Sequence, residues 1–231
     1  MINFNKRSRK IDIKFVSQSG IIVSKKNSEL IQFESSLEKD FVYLLEFDTE
    51  IHSYVDQPLA IPYRDEHNKM RIYYPDFLVK FHDEDLNDII VEIKYEKDLV
   101  ENAKKFTEKF ESARKFCKNN SLTFCVLSEK EIRGDRITFL NNAKFLSRFR
   151  NISNYYQDKD QESKDIAMSL MVVNKLRQYN ICTINALMIE LESDCNSREE
   201  LLYYIWFLIA NNYIGCNLEL TLSMDTYIWV T

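Results

Sequence analysis

Residues 89–94 read Ile89-Ile90-Val91-Glu92-Ile93-Lys94. In a β-strand alternate side chains share a face, so Ile89, Val91 and Ile93 point one way and Ile90, Glu92 and Lys94 the other. A carboxylate and an ammonium then stand side by side at the end of an apolar strand. An isolated pair of this kind is as a rule a solvent-facing ion pair. Here a second carboxylate precedes it: Asp76, in Tyr74-Pro75-Asp76-Phe77-Leu78-Val79. Aspartate disfavours strand interiors, and burying a carboxylate costs several kcal/mol unless it is paired or metal-bound. The plain alternative is a turn aspartate at a strand start. A hairpin between the two strands would bring Asp76, Glu92 and Lys94 to one sheet edge. Glu38 is the third carboxylate. Ser35 and Glu38 have capping-box spacing, yet Phe41, Val42 and Leu45 fall on the same side of the helix, which turns Glu38 inward. Three carboxylates and a lysine, without a histidine or thiolate cluster, suit a hard cation such as Mg²⁺. The chemistry expected of such a site is phosphodiester hydrolysis, with Lys94 orienting or helping to deprotonate the attacking water, or neutralising the phosphate.

The elements that must position these groups follow from pattern. Residues 35–47 read as a short helix with an apolar stripe of Leu37, Phe41, Leu44 and Leu45. Residues 59–63, 71–81 and 89–95 read as strands, separated by polar turns. A helix over 99–118 follows, with its Lys104, Lys105, Lys109, Arg114, Lys115 and Lys118 interleaved with Glu108 and Glu111 and expected to form mainly a solvated face. An apolar strand over 122–127, expected to be buried on both faces, and a helix over 137–148 complete a catalytic domain spanning 1–155, with residues 1–30 as a basic arm. The polar stretch 155–164 separates it from a second domain, 160–231. There, helices over 166–178, 183–191 and 197–210 precede a hairpin of 218–221 and 227–230, which is the order of a winged helix. The fold class expected is α/β: a mixed sheet flanked by helices, plus this small winged-helix-like domain.

Bulk properties remove many alternatives. The chain has 231 residues, 45% of them hydrophobic, enough for a core. Its five cysteines form no CxxC pair, its three histidines show no ligand spacing, and its three glycines leave no phosphate-binding loop. The apolar run 201–210 is far short of the ~20 residues that span a bilayer, so a cytoplasmic protein is expected. Net charge is −5 but uneven. Residues 1–26 carry seven basic residues against one acid, and 101–150 twelve against six, each a net of +6. Residues 184–231 carry one basic residue against seven acids, a net of −6. Lys6, Arg7, Arg9 and Lys10 are the candidate DNA-binding arm. An acidic winged helix is a poor DNA reader, so protein docking through Tyr203, Tyr204 and Trp206 is expected, the alternative being that these aromatics are core.

Pro75-Asp76, fifteen intervening residues and Glu92-Ile93-Lys94 resemble the PD-(D/E)XK superfamily of restriction-endonuclease-like nucleases. Ser36-Leu37-Glu38-Lys39-Asp40-Phe41, Leu44-Leu45-Glu46-Phe47-Asp48 and Gln57-Pro58-Leu59 precede them in the order seen in the TnsA family, endonuclease subunits of heteromeric cut-and-paste transposases. The resemblance covers residues ~30–130. It implies Glu38, Asp76 and Glu92 as acidic, metal-holding residues, Lys94 as the catalytic lysine, and Mg²⁺, with Mn²⁺ substituting. It also implies a winged-helix-like C-terminal domain, cleavage at the 5′ ends of the transposon, double-stranded DNA as substrate, and two partners: the integrase-like transposase TnsB and the AAA+ regulator TnsC. Some members carry Gln where this chain has Glu92. Gln57 is expected either to contact the site or to cap a strand. The rival readings are a stand-alone restriction-like nuclease of phage defence and a non-catalytic adaptor that recruits the AAA+ regulator.

Overall fold

The computed structural model of the chain describes residues 7–8, 19–27, 30–150, 159–194 and 197–231. Lys6, Arg9 and Lys10 of the expected basic arm lie outside the described residues. Two compact units divide between Ile137 and Thr138. That is earlier than the division expected at 155–160. The helix Ile137–Leu146 lies almost wholly in the second unit, where the Asn142 amide donates to the carbonyls of Leu218 at 2.9 Å and Leu220 at 2.8 Å, and the Phe145 ring meets Trp206 edge-on.

The first unit opens with a two-stranded pair, β1 (Gly20–Ile22) and β2 (Ile31–Phe33). Helix α1 (Ser36–Phe47) starts where expected, its N-cap Ser35 side chain accepting from the Glu38 N–H. A four-stranded mixed sheet follows, of β3 (Ile51–Asp56), β6 (Phe77–Phe81), β7 (Ile89–Ile93) and β8 (Thr123–Leu127) in that spatial order. β3 and β7 run antiparallel to β6, while β8 runs parallel to β7. The crossover to β8 uses α2 (Glu96–Glu101) and α3 (Ala103–Asn119), as a parallel connection requires.

β3 escapes pattern reading because His52 and Ser53 interrupt its apolar face. The expected strand over 71–81 is two strands. β5 (Met70–Tyr73) pairs with β4 (Ile61–Arg64) as a separate hairpin, and β6 begins only after Pro75, which has no N–H to offer a ladder. β7 is the central strand, buried on both faces rather than half-exposed. Its Phe77-side face packs toward α1, where the Phe41 and Phe77 rings lie 5.5 Å apart. On the opposite face Leu78 and Ile90 form a core with Leu59, Ile61, Tyr73 and the α3 residues Ala113 and Cys117. β8, expected to be buried on both faces, is an edge strand with only partial burial.

In the second unit, α4 (Ile137–Leu146), α5 (Lys159–Tyr179), β9 (Ile181–Thr183), α6 (Ile184–Leu191) and α7 (Arg198–Ala210) precede β10 (Ile214–Cys216) and β11 (Tyr227–Val230). β11 lies between β10 and β9 in an antiparallel sheet. The hairpin therefore pairs 214–216 with 227–230, and the segment 218–221 is not a strand. α7 ends in paired reverse bonds, Tyr213 N–H to Leu208 O and Asn212 N–H to Ile209 O, with Asn212 at φ 61°. Of the three aromatics expected to dock a protein, Tyr204 and Trp206 are core, and Tyr204 donates to Asp165 at 2.6 Å; Tyr203 is 43% exposed. No helix among the described residues is long and apolar enough to cross a membrane.

Ile90 sits at 0% exposure at the centre of the α3-side core, while Ile72 on the β4–β5 hairpin is 62% exposed. Ile90→Ala should cost about 3 kcal/mol and Ile72→Ala less than about 0.5 kcal/mol, read as shifts in urea unfolding free energy.

Candidate active site

Proline at 75 ends one hairpin, and the residue after it enters the sheet. The last ladder pair between β6 and β7 is Phe77 with Val91, so the register carried one step further sets Asp76 against Glu92. At that step the backbone of the Pro75 segment no longer serves β7. The Asp76 side chain does so instead: its Oδ2 accepts the Ile93 N–H at 2.6 Å. From the β3 side the Gln57 N–H donates to the Asp76 carbonyl at 2.8 Å. Asp76 is thus pinned by both neighbouring strands, which fixes where its carboxylate points.

Glu92 is 1% exposed. A lone carboxylate at that depth would be costly, and three donors surround this one. The Tyr73 hydroxyl donates to Oε2 at 2.5 Å. Lys94 Nζ lies 3.0 Å and Lys109 Nζ 2.6 Å from Oε1. Lys94 also reaches Asp76 Oδ2 at 3.4 Å and so bridges the two carboxylates. Lys109 was grouped by sequence with the solvated residues of its helix. It is instead a site residue, with its ammonium 4.3 Å from the centre of the Tyr73 ring. A signal was present: Phe106, Lys109, Ala113 and Cys117 recur at three- and four-residue steps, which puts Lys109 on the apolar stripe of α3.

Glu38 comes from α1. Its Oε2 accepts the Glu34 N–H at 2.8 Å and its Oε1 the Ser35 hydroxyl at 2.9 Å. The capping role is therefore real, and it takes both oxygens. Glu38 still senses the other site groups: burial raises its carboxyl above the ordinary range, with Lys94 pulling the other way. The start of α1 is tied to the chain beyond β7. Ser36 Oγ meets the Tyr95 hydroxyl at 3.0 Å, and Arg133, in a π-helical turn over Lys130–Asp135, donates to Ser36 at 3.0 Å and to Asp40 at 2.7 Å.

Burial, then the nearby Glu92 charge, pushes the Asp76 carboxyl well above its ordinary 3.8. Burial pulls the Lys94 ammonium down, but Asp76, Glu92 and Glu38 together outweigh it and hold it above the usual lysine range. Gln57 sits beside this cluster at φ 44°, a left-handed backbone rare for glutamine. Among the described residues its buried Oε1 has no hydrogen-bond partner, and its Nε2 reaches Glu34 at 3.5 Å. Arg7, expected as part of a DNA-binding arm, is engaged within the fold: its guanidinium donates to Asp56 at 2.6 Å and to the Leu30 carbonyl at 2.9 Å.

Among the described residues no three His, Cys, Asp or Glu side chains form a ready-made metal cage. The expected trio Glu38, Asp76 and Glu92 is not joined in one, because lysines pair with Asp76 and Glu92 and the helix start engages Glu38. The donor set still fits Mg²⁺, which takes hard oxygen ligands, uses one or two carboxylates and keeps several waters. Asp76 and Glu92 meet that description.

A mixed sheet flanked by helices, with an aspartate and an E-x-K pair meeting where two antiparallel strands part, matches the restriction-endonuclease-like fold class. Two family models then match the chain: "TnsA-like endonuclease N terminal" over residues 48–129 and "TnsA endonuclease C terminal" over residues 136–218. The chain belongs to the TnsA endonuclease family, whose work is Tn7-type transposition. Asp76, Glu92, Lys94 and Lys109 all fall inside the first match, and Glu38 precedes it. No curated protein matches the chain.

A carboxyl held above its ordinary value in the fold favours the folded state at low pH and costs stability once it must ionise. The wild-type chain, kept in chelator, should therefore lose stability through Asp76 as pH rises from about 4. Asp76→Asn retains an oxygen for the Ile93 N–H and removes that charge. Its urea midpoint should exceed wild type at pH 7 and converge with it below about pH 4.

Proposed function

We propose that this chain is the DNA-cutting subunit of a heteromeric cut-and-paste transposase, hydrolysing phosphodiester bonds at the 5′ ends of the element with Mg²⁺, for which Mn²⁺ substitutes. The observation that carries this reading is the bridge of Lys94 between Asp76 and Glu92, at 3.4 and 3.0 Å, on adjacent antiparallel strands. Asp76 and Glu92 would hold the cation, with Glu38 as the third acidic residue of the site. When bound, the cation lowers the pKa of a water and offsets charge growing on the phosphate.

The chain's own groups do the rest. The Asp76 carboxylate is aimed by the Ile93 N–H, so ligand geometry is set before substrate arrives. Lys94 keeps its ammonium between the acids and orients the attacking water or neutralises the phosphate. The water oxygen bonds to phosphorus as the P–O bond on the far side breaks, and the departing oxygen takes up a proton. Intact Asp76, Glu92 and Lys94, inside a matching endonuclease family, favour this over a non-catalytic adaptor. Two matched segments covering both units favour it over a stand-alone defence nuclease.

The C-terminal unit is read as winged-helix-like, on the order β9, α6, α7, β10, β11 and the sheet order β10-β11-β9. Its segment 184–231 has a net charge of −6, which sets it against DNA. It would serve as a docking module for the AAA+ regulator TnsC, with exposed Tyr203 as one contact, while TnsB cuts and joins the 3′ ends.

Purified chain, transposon-end duplex, partner proteins and Mg²⁺ should give strand-specific nicking. Asp76→Ala and Lys94→Ala should each lower it by about 10²-fold or more. Nicking that survives in either variant at the wild-type rate removes the assignment.

A further inference from the structure

Glu92 shares one oxygen, Oε1, between two ammonium groups, and they are not equivalent. Lys94 stands two residues on, just past the end of β7, and spans to Asp76. Lys109 reaches in from the overlying helix α3 and touches no other carboxylate among the described ion pairs. Its ammonium lies over aromatic rings, 4.3 Å from the Tyr73 centroid and 5.2 Å from that of Phe106. Lys109 also lines a cleft of about 480 Å³, together with Lys94, Lys105, Tyr63, Tyr74 and one acid, Asp98. Three lysines beside polarised aromatic rings suit a nucleic-acid strand, because the ammonium groups meet phosphates and the rings hold a cation or a base face.

The charge count gives the direction of exchange. Glu38, Asp76 and Glu92 carry three negative charges against the two positive charges of Lys94 and Lys109, leaving one in excess. A divalent cation on Asp76 and Glu92 would reverse that sign, and Glu92 Oε1 cannot serve the cation and two ammonium groups equally. We propose that Lys109 is a second lysine of the active site that yields Glu92 to the divalent cation and turns to a phosphate of the DNA strand in the adjoining cleft. With a cation held by Asp76 and Glu92, Lys109 would let go of Glu92 Oε1 and its ammonium would be available to a phosphate of the strand. This rests on the nuclease reading above and deepens it.

Calorimetry of Mn²⁺ binding to the full chain, with no DNA present, reads the exchange apart from activity. Lys109→Gln removes the competing charge and should bind Mn²⁺ about tenfold more tightly than wild type, while Lys109→Arg should show no such gain. In the nicking assay at saturating Mg²⁺, Lys109→Gln should then be slower by about 10²-fold despite its tighter metal binding. A role confined to packing would give weaker or unchanged Mn²⁺ affinity. That result, in a variant that folds, overturns the proposal. If Lys109→Gln does not fold, lysine ¹⁵N resonances of the wild-type chain decide: saturating Mg²⁺ should move the Lys109 signal, assigned through Lys109→Arg, and an unmoved signal is fatal to the exchange. A wild-type chain that binds no divalent cation would instead sink the nuclease reading itself.

Discussion

A carboxylate at 1% exposure in the middle of a β-sheet is the constraint around which the first unit is arranged. Glu92 is tolerable there only because a phenol and two ammonium groups converge on its two oxygens. Each donor comes from a different place: Tyr73 from the end of a hairpin, Lys94 from just past the end of the same strand, Lys109 from the helix that crosses over to β8. Removing one donor leaves charge stranded at low dielectric, which is far costlier than losing a surface ion pair. The hairpin, the inner strand β7 and the crossover helix are therefore bound together by one buried carboxylate, and the geometry of that carboxylate and the packing of three elements depend on the same atoms.

Proline at position 75 is the second determinant. It ends the β4–β5 pair and has no N–H to offer the neighbouring strand; at this step side chains serve Ile93 instead, the Lys94 ammonium donating to its carbonyl at 2.8 Å and Asp76 Oδ2 accepting from its N–H at 2.6 Å. The acid is consequently aimed from a backbone that two neighbouring strands hold. Gln57, across the other side of the same strand, has a left-handed backbone and a buried acceptor with no partner among the described residues. Strain and an unmet hydrogen bond at one residue are commonly found together beside catalytic groups.

Much of this was legible in the sequence, and the misses have physical reasons. The E-x-K alternation and the capping spacing of Ser35 and Glu38 depend on local periodicity, and both elements form where the pattern puts them. The two-faced burial of β7 was hidden, because a polar pair on a strand looks the same whether water or a helix covers it. Lys109 was hidden for a related reason: its charge outweighed its place on the apolar stripe of α3. Splitting 71–81 required weighing one proline against an otherwise continuous β-like run. Arg7 read as part of a basic arm because sequence shows charge but not its partner, and Asp56 lies 49 residues away. The boundary between units lay earlier than composition suggested, since Asn142 binds carbonyls more than 75 positions distant.

The order of the site residues along the chain also bears on how the molecule folds. Asp76, Glu92, Lys94 and Lys109 sit within a single stretch of 34 residues, a β-hairpin followed by its crossover helices. Contacts of such short span form early, since little loop entropy is spent in closing them. Glu38 arrives on a separate helix from the other face of the sheet, and its register there depends on Arg133, 93 positions downstream of the Asp40 it grips. A nascent or partly unfolded chain would thus hold two acids and two lysines together while lacking the third acid. The Arg133–Asp40 contact that helps to seat α1 closes a far longer loop than any contact within the 34-residue stretch.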